Sequence, residues 1–124
     1  MNDIISVMLG GALGAGARYL VSSAFLHIAG PSFPWGTLAI NLIGGLLMGL
    51  LFGVLTRTSN GSEQARLLLG VGVLGGFTTF SAFGLETWLM IERGQTTIGL
   101  AYVAASVVGA VALTGFGVML ARSA

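Results

Sequence analysis

Gly75-Gly76-Phe77-Thr78-Thr79-Phe80-Ser81-Ala82-Phe83 places two glycines, three hydroxyls and three phenylalanines inside an apolar segment long enough to cross a bilayer. A spanning helix needs about 20 apolar residues. It excludes paired glycines and clustered hydroxyls unless neighbouring groups satisfy the loosened backbone. Polar chemistry at membrane depth is costly and marks a pathway or a site. The stretch therefore reads as the centre of a pore or transporter. Its residues favour a break in the helix, which frees carbonyl oxygens that must find protein, water or a cation.

Outward from that centre, apolar runs occupy 4–26, 36–56, 66–90 and 97–121, each near spanning length. Ala29-Gly30-Pro31-Ser32-Phe33-Pro34 is a turn-rich connection, Arg57 to Glu63 a polar loop, and Glu92-Arg93-Gly94-Gln95 a short turn. Four helices with short connections predict one up-down-up-down bundle over residues 1–124, with both termini on one side. Composition agrees with the membrane class: 55% of the residues are hydrophobic and 7% charged, and mean hydropathy is +0.96. A net charge of +1 excludes an electrostatic nucleic-acid binder, which needs clustered basic residues. Absence of cysteine excludes disulfides and thiolate metal sites. The N-terminus lacks a basic segment, and Arg18 interrupts the first apolar run, so no cleaved secretory signal is expected. Trp35, Trp88 and Tyr102 fall near the predicted membrane boundaries, where an aromatic belt belongs.

Glycine is abundant, at 21 residues. Gly10 and Gly14 share one face of the first helix, and Gly45, Gly49 and Gly53 share one face of the second. Small residues let helix backbones approach in lipid, either within a subunit or between subunits, and spacing alone does not choose. Thr37, Asn41 and Gly45 repeat at intervals of four on the second helix, aligning a hydroxyl and an amide. Asn41 offers two donors, for a pore or for a neighbouring helix. Tyr102, Ser106, Ala110 and Thr114 repeat the interval on the last helix, a hydroxyl track interrupted by alanine. Such hydroxyls either pass a small anion or bond back to their own backbone. Phe80 and Phe83, three apart, face one way beside Thr79 and Ser81. Their positive ring edges can lie against an anion, although core packing is the ordinary role of such rings. Arg18 suits a snorkelling side chain or a positive charge over an anion vestibule. Glu86, one turn beyond Phe83, is placed to bond threonine or backbone groups or to pair with an arginine. His27 is a lone histidine beside a turn, so histidine- or cysteine-based nucleophilic catalysis is excluded.

Taken together these residues resemble the Fluc/CrcB family of fluoride channels over essentially the whole chain. The resemblance is carried by Gly10-Gly11-x-x-Gly14 with Arg18-Tyr19, by Pro34-x-Gly36-Thr37-x-x-x-Asn41-Leu42, and by Gly75-Gly76-x-Thr78-Thr79-Phe80-Ser81-x-Phe83 with Glu86. The chain departs at Ala82 and Ala110, where the family often carries threonine and serine. The resemblance implies a passive, non-enzymatic channel in a bacterial inner (plasma) membrane. It would be built as an antiparallel, dual-topology homodimer with two narrow fluoride pores, the third helix of each subunit broken mid-membrane. Phe80 and Phe83 would form the aromatic pore lining and Asn41 a pore donor, with Thr37, Thr79 and Ser81 nearby. Tyr102, Ser106 and Thr114 would form the polar track, and Arg18 would stand at the vestibule. Backbone carbonyls of Gly75 and Thr78 from both subunits would hold a structural sodium ion (Na+).

Two other classes compete. A small dual-topology multidrug exporter has a similar size, but needs a membrane carboxylate at its substrate site, and the first helix has none. A structural subunit of a larger membrane complex would carry no flux of its own.

Overall fold

The computed structural model describes residues 2–58 and 63–124. Helix α1 (Asp3–Ala29) is capped by Asn2, whose side-chain oxygen accepts the Ile4 N–H at 3.0 Å. It ends at Gly30, whose φ of 77° is open to glycine at little cost. Helix α2 (Trp35–Arg57) follows the proline-containing connection. The third span, Glu63–Glu92, is composite. A turn α3 (Glu63–Ala65) leads into wide π-type turns at Arg66–Leu74, then α4 (Gly75–Phe77), an interruption, and α5 (Ser81–Glu92). A tight turn with Gly94 at φ 80° leads into α6 (Thr96–Ser123). The segments α1, α2, Glu63–Glu92 and α6 are the four helical stretches long and apolar enough to cross a membrane.

Each helix runs slightly past the apolar run that predicted it, because polar capping residues extend the hydrogen-bonded turns beyond the hydrocarbon-like core. Of the expected polar loop, Arg57 belongs to α2 and Glu63 to α3, while residues 59–62 lie outside the described residues. Hydrogen bonds between distant segments pair the ends of the helices. Ser6 Oγ donates to Gln64 Oε1 at 3.0 Å, and Arg57 Nη1 donates to the Ala121 carbonyl at 2.9 Å. Leu55 and Thr56 of α2 border one cavity with Glu63 and Arg66, so the start of α1, the end of α2, the start of the third span and the end of α6 share one end of the bundle. At that end Arg122 also lies over the Phe52 ring, 5.7 Å from its centroid.

Glycine faces bring the helices together within the chain. A methyl group at Gly14 would run into the backbone of Val73 and Phe77, and one at Gly49 into the Thr114 carbonyl. At Gly53 a Cβ would stand 2.6 Å from that of Ala121. The Gly10/Gly14 face therefore seats the third span, and the Gly45/Gly49/Gly53 face seats α6, the close approach that small residues permit in lipid.

The wide turns were not anticipated from sequence. Their register shows where Gly75 N–H bonds the Gly70 carbonyl, five residues back. The paired glycines also behave differently from expectation: Gly75 is helical at φ −63°, ψ −39°. The backbone leaves the helix only at Thr78, with φ −80° and ψ 161°. Tyr102 corrects another expectation. It is 0% exposed and cannot belong to an aromatic belt. Its ring lies 5.3 Å from that of Phe33 and 5.1 Å from that of Phe83, and its hydroxyl is committed inside the bundle. Trp35 and Trp88 do face outward.

Candidate functional site

The interruption at 78–80 is held by Asn41, one helix away. Asn41 Nδ2 donates to the Thr79 carbonyl at 2.9 Å, and Asn41 Oδ1 accepts the Thr79 N–H at 2.9 Å. The side-chain amide thus replaces the peptide partners that a helix would have supplied, as a backbone away from water requires. One N–H of Asn41 remains after this clamp. A second substitution follows: Ala82 N–H turns to Thr79 Oγ1 at 3.3 Å. In an uninterrupted α-helix, Thr79 N–H would bond Gly75 and Ala82 N–H would bond Thr78. The Gly75 and Thr78 carbonyls, the cation ligands that the resemblance implies, have therefore lost these helical donors. Carbonyl oxygen is the ligand type that hard cations take, so the donor set fits sodium. Among the described residues, no group of three or more His, Asp or Glu side chains offers an alternative metal site.

Beside the clamp runs a groove of about 440 Å3 between α2, the interruption and α6. Asn41, Thr79, Phe80, Phe83, Ser106 and Thr114 line it, with Thr78, Ala110 and Met48. Six of the residues singled out from sequence thus converge on one cavity. Their protons are not equally free. Thr114 Oγ1 donates to the Gly45 carbonyl at 2.9 Å. Ser106 Oγ is the buried side-chain polar atom without a hydrogen-bond partner among the described residues. An unsatisfied buried hydroxyl is costly and calls for a ligand or water.

The two phenylalanines adjoin but do not share an environment. Their ring centroids are 5.7 Å apart at 43°. Phe83 is 8% exposed and packs with Met90 and Tyr102, whereas Phe80 is 82% exposed. Both rings border the groove, but their burial differs because Phe80 precedes α5 rather than riding on it.

Thr37 and Tyr102 meet elsewhere. Thr37 Oγ1 donates to Glu86 Oε2 and Tyr102 OH donates to Glu86 Oε1, each at 2.9 Å. Of the partners that the sequence left open for Glu86, it takes a threonine and, beyond them, a tyrosine, and so ties α2 and α6 to α5 through both carboxylate oxygens. Its place one turn beyond Phe83 was the available signal; its partners, distant in sequence, were not. Arg18 Nε donates to the Gly76 carbonyl at 3.0 Å, so it braces the third span. Ser81 opens α5 and is exposed outside the groove lining.

A family model described as CrcB-like protein, Camphor Resistance (CrcB), matches residues 5–118. The chain belongs to the CrcB family. Among its CrcB relatives, a protein of Sphingopyxis alaskensis named fluoride-specific ion channel FluC is 56% identical, the alignment covering 98% of this chain and 97% of that one. Proteins of the same name from Novosphingobium aromaticivorans and Chelativorans sp. are 55% and 50% identical. They cover 98% and 99% of this chain and 98% of each relative. These CrcB relatives are named as ion channels, not enzymes.

Proposed function

We propose that this CrcB chain is a subunit of a passive, fluoride-selective channel that exports fluoride from the cytoplasm across a bacterial plasma membrane. The observation that carries the reading is the partnerless Ser106 hydroxyl in a groove shared with Asn41, Phe80 and Phe83. Fluoride is small and strongly hydrated, so its passage needs dense donors in place of water. The remaining Asn41 N–H, the Ser106 hydroxyl, the Thr79 proton and the positive ring edges of the phenylalanines supply them. Tyr102, Thr37 and Glu86 form a buried polar continuation beyond Phe83. None of the side chains that line the groove is charged, which suits a passive path with no coupling carboxylate.

The active unit in this reading is an antiparallel dual-topology dimer, its third helix interrupted at membrane depth. The exposed Phe80 ring and the open groove then meet a second copy, which completes each pore. Gly75 and Thr78 carbonyls from the two copies would together hold a structural sodium ion, which supplies fixed positive charge and ties the interruptions across the dimer axis. The exporter reading loses support because Glu86, the carboxylate nearest the groove, has both oxygens bonded to hydroxyls.

Liposomes carrying the purified protein alone, loaded with fluoride or with chloride, test the proposal. Fluoride should leave and chloride should stay. Equal release of both, or of neither, overturns it, and no release at all favours a structural subunit.

A further inference from the structure

A second cavity, of about 170 Å3, lies toward the Arg57 end of α2. Met48, Leu51, Phe52 and Leu55 supply its apolar walls, and Thr56, Glu63 and Arg66 its polar lining. Met48 also lines the 440 Å3 groove, so its flexible thioether borders both spaces. Groove and cavity follow a single face of α2: residues 41, 44, 45 and 48, then 48, 51, 52, 55 and 56. From Asn41 to Thr56 that face extends about 22 Å at 1.5 Å per residue, more than the roughly 15 Å from bilayer centre to hydrocarbon edge. Gly70 leaves the wall open opposite Met48. A Cβ there would stand 3.4 Å from Leu51 Cδ2 and 3.9 Å from Met48 Sδ. The cavity has room for about six waters at roughly 30 Å3 each.

We propose that this cavity is the aqueous approach to the groove, with Met48 as its movable partition and the Glu63–Arg66 ion pair setting the charge at its mouth. The inference rests on the channel reading above. Arg66 Nε and Nη2 both engage the Glu63 carboxylate, and the two side chains remain 53% and 66% exposed. The pair therefore holds the arginine in place while largely cancelling its field. Met has three rotatable bonds and a soft, unbranched end, so it can clear a passage without displacing the backbone. Apolar walls between a polar mouth and a polar groove are the arrangement of a constriction that wets and dries.

Because the chain contains no cysteine, single cysteines report directly on water access. Thr56→Cys, Met48→Cys and, as a control on the outer face of α1, Leu13→Cys are reconstituted and treated with a negatively charged, water-soluble thiosulfonate. Wild-type protein must first release fluoride; if it does not, the channel reading fails independently of this one. With wild-type flux present, Thr56→Cys and Met48→Cys should react, and reacted Met48→Cys should lose at least about tenfold of its own unreacted efflux. Leu13→Cys should stay unreacted. Failure of Met48→Cys and Thr56→Cys to react in conducting liposomes, or reaction that leaves efflux unchanged, overturns the proposal. Met48→Leu, which keeps the volume, should conduct and resist the reagent. The charge assignment has its own readout. In low salt Arg66→Gln should slow initial efflux about twofold and Glu63→Gln should raise it about twofold, and both differences should vanish in high salt. Changes that persist in high salt, or no changes at all, overturn the role of the pair.

Discussion

Asn41 shows what a single residue's sequence context carries and what it omits. Its interval of four from Thr37 and Gly45 placed an amide on the same face of α2 as a hydroxyl, and that much was legible. Its partner was not, because Thr79 lies 38 residues away and on a segment whose departure from helix the amide itself stabilises. Asn41→Asp removes the donor that meets the Thr79 carbonyl and sets two oxygens against each other. It should lower thermal stability by about 1–3 kcal/mol and abolish measurable efflux, read by a detergent melt and by fluoride release. The phenylalanines divide differently. Phe83 sits in the cluster with Met90 and Tyr102, and Phe80 is open. Phe80→Ile should therefore leave the melting temperature of the subunit unchanged, whereas Phe83→Ile should cost about 1 kcal/mol of packing. Both should cut fluoride efflux sharply, since each loses a positive ring edge. Normal efflux from both would return the rings to simple packing.

At the scale of elements, the four spanning segments were legible from hydropathy and punctuation, and the glycine faces from intervals of four. What the glycines pack against was not, since interval reports a face and not its occupant. The wide turns at Arg66–Leu74 left no mark in the apolar pattern, because almost every residue there is apolar and any helical register satisfies lipid. The interruption fell after the paired glycines because the Asn41 clamp acts on Thr79. Its place depends on a neighbouring helix and not on local propensity. Gly49→Ala should lower the melting temperature through a clash with the Thr114 carbonyl, about 1–3 kcal/mol of overpacking. Gly115→Ala, where nothing lies within 4 Å, should be neutral or slightly stabilising. Equal melting of the two variants would contradict the packing of α2 on α6.

For the whole molecule, orientation in the membrane depends on arginine alone, since the five basic residues are all arginines. Arg57 and Arg122 stand at the end that carries the start of α1, and Arg66 opens the third span beside them. Arg93 lies at the other end, and Arg18 is spent on the Gly76 carbonyl. The positive-inside bias is therefore small, and both orientations should insert. A cysteine at Thr58 or at Gln95, in the otherwise cysteine-free chain, should be labelled by an impermeant reagent from both sides of the membrane in comparable amounts. Labelling of either position from one side only would exclude dual topology and the antiparallel dimer with it.

The wide turns of the third span bear on how this chain tolerates changes of length. Each holds one residue more than an ordinary turn at similar height along the axis. A deletion of one residue between Leu67 and Val71 therefore has somewhere to be absorbed: a wide turn tightens, and the segment beyond it, with Thr78 to Phe80, keeps its level beside Asn41. The same deletion in α2 or α6 would turn every later side chain by about 100° and scatter the groove. Genetic drift in length within this bundle thus has one permissive stretch, immediately ahead of the residues least able to move.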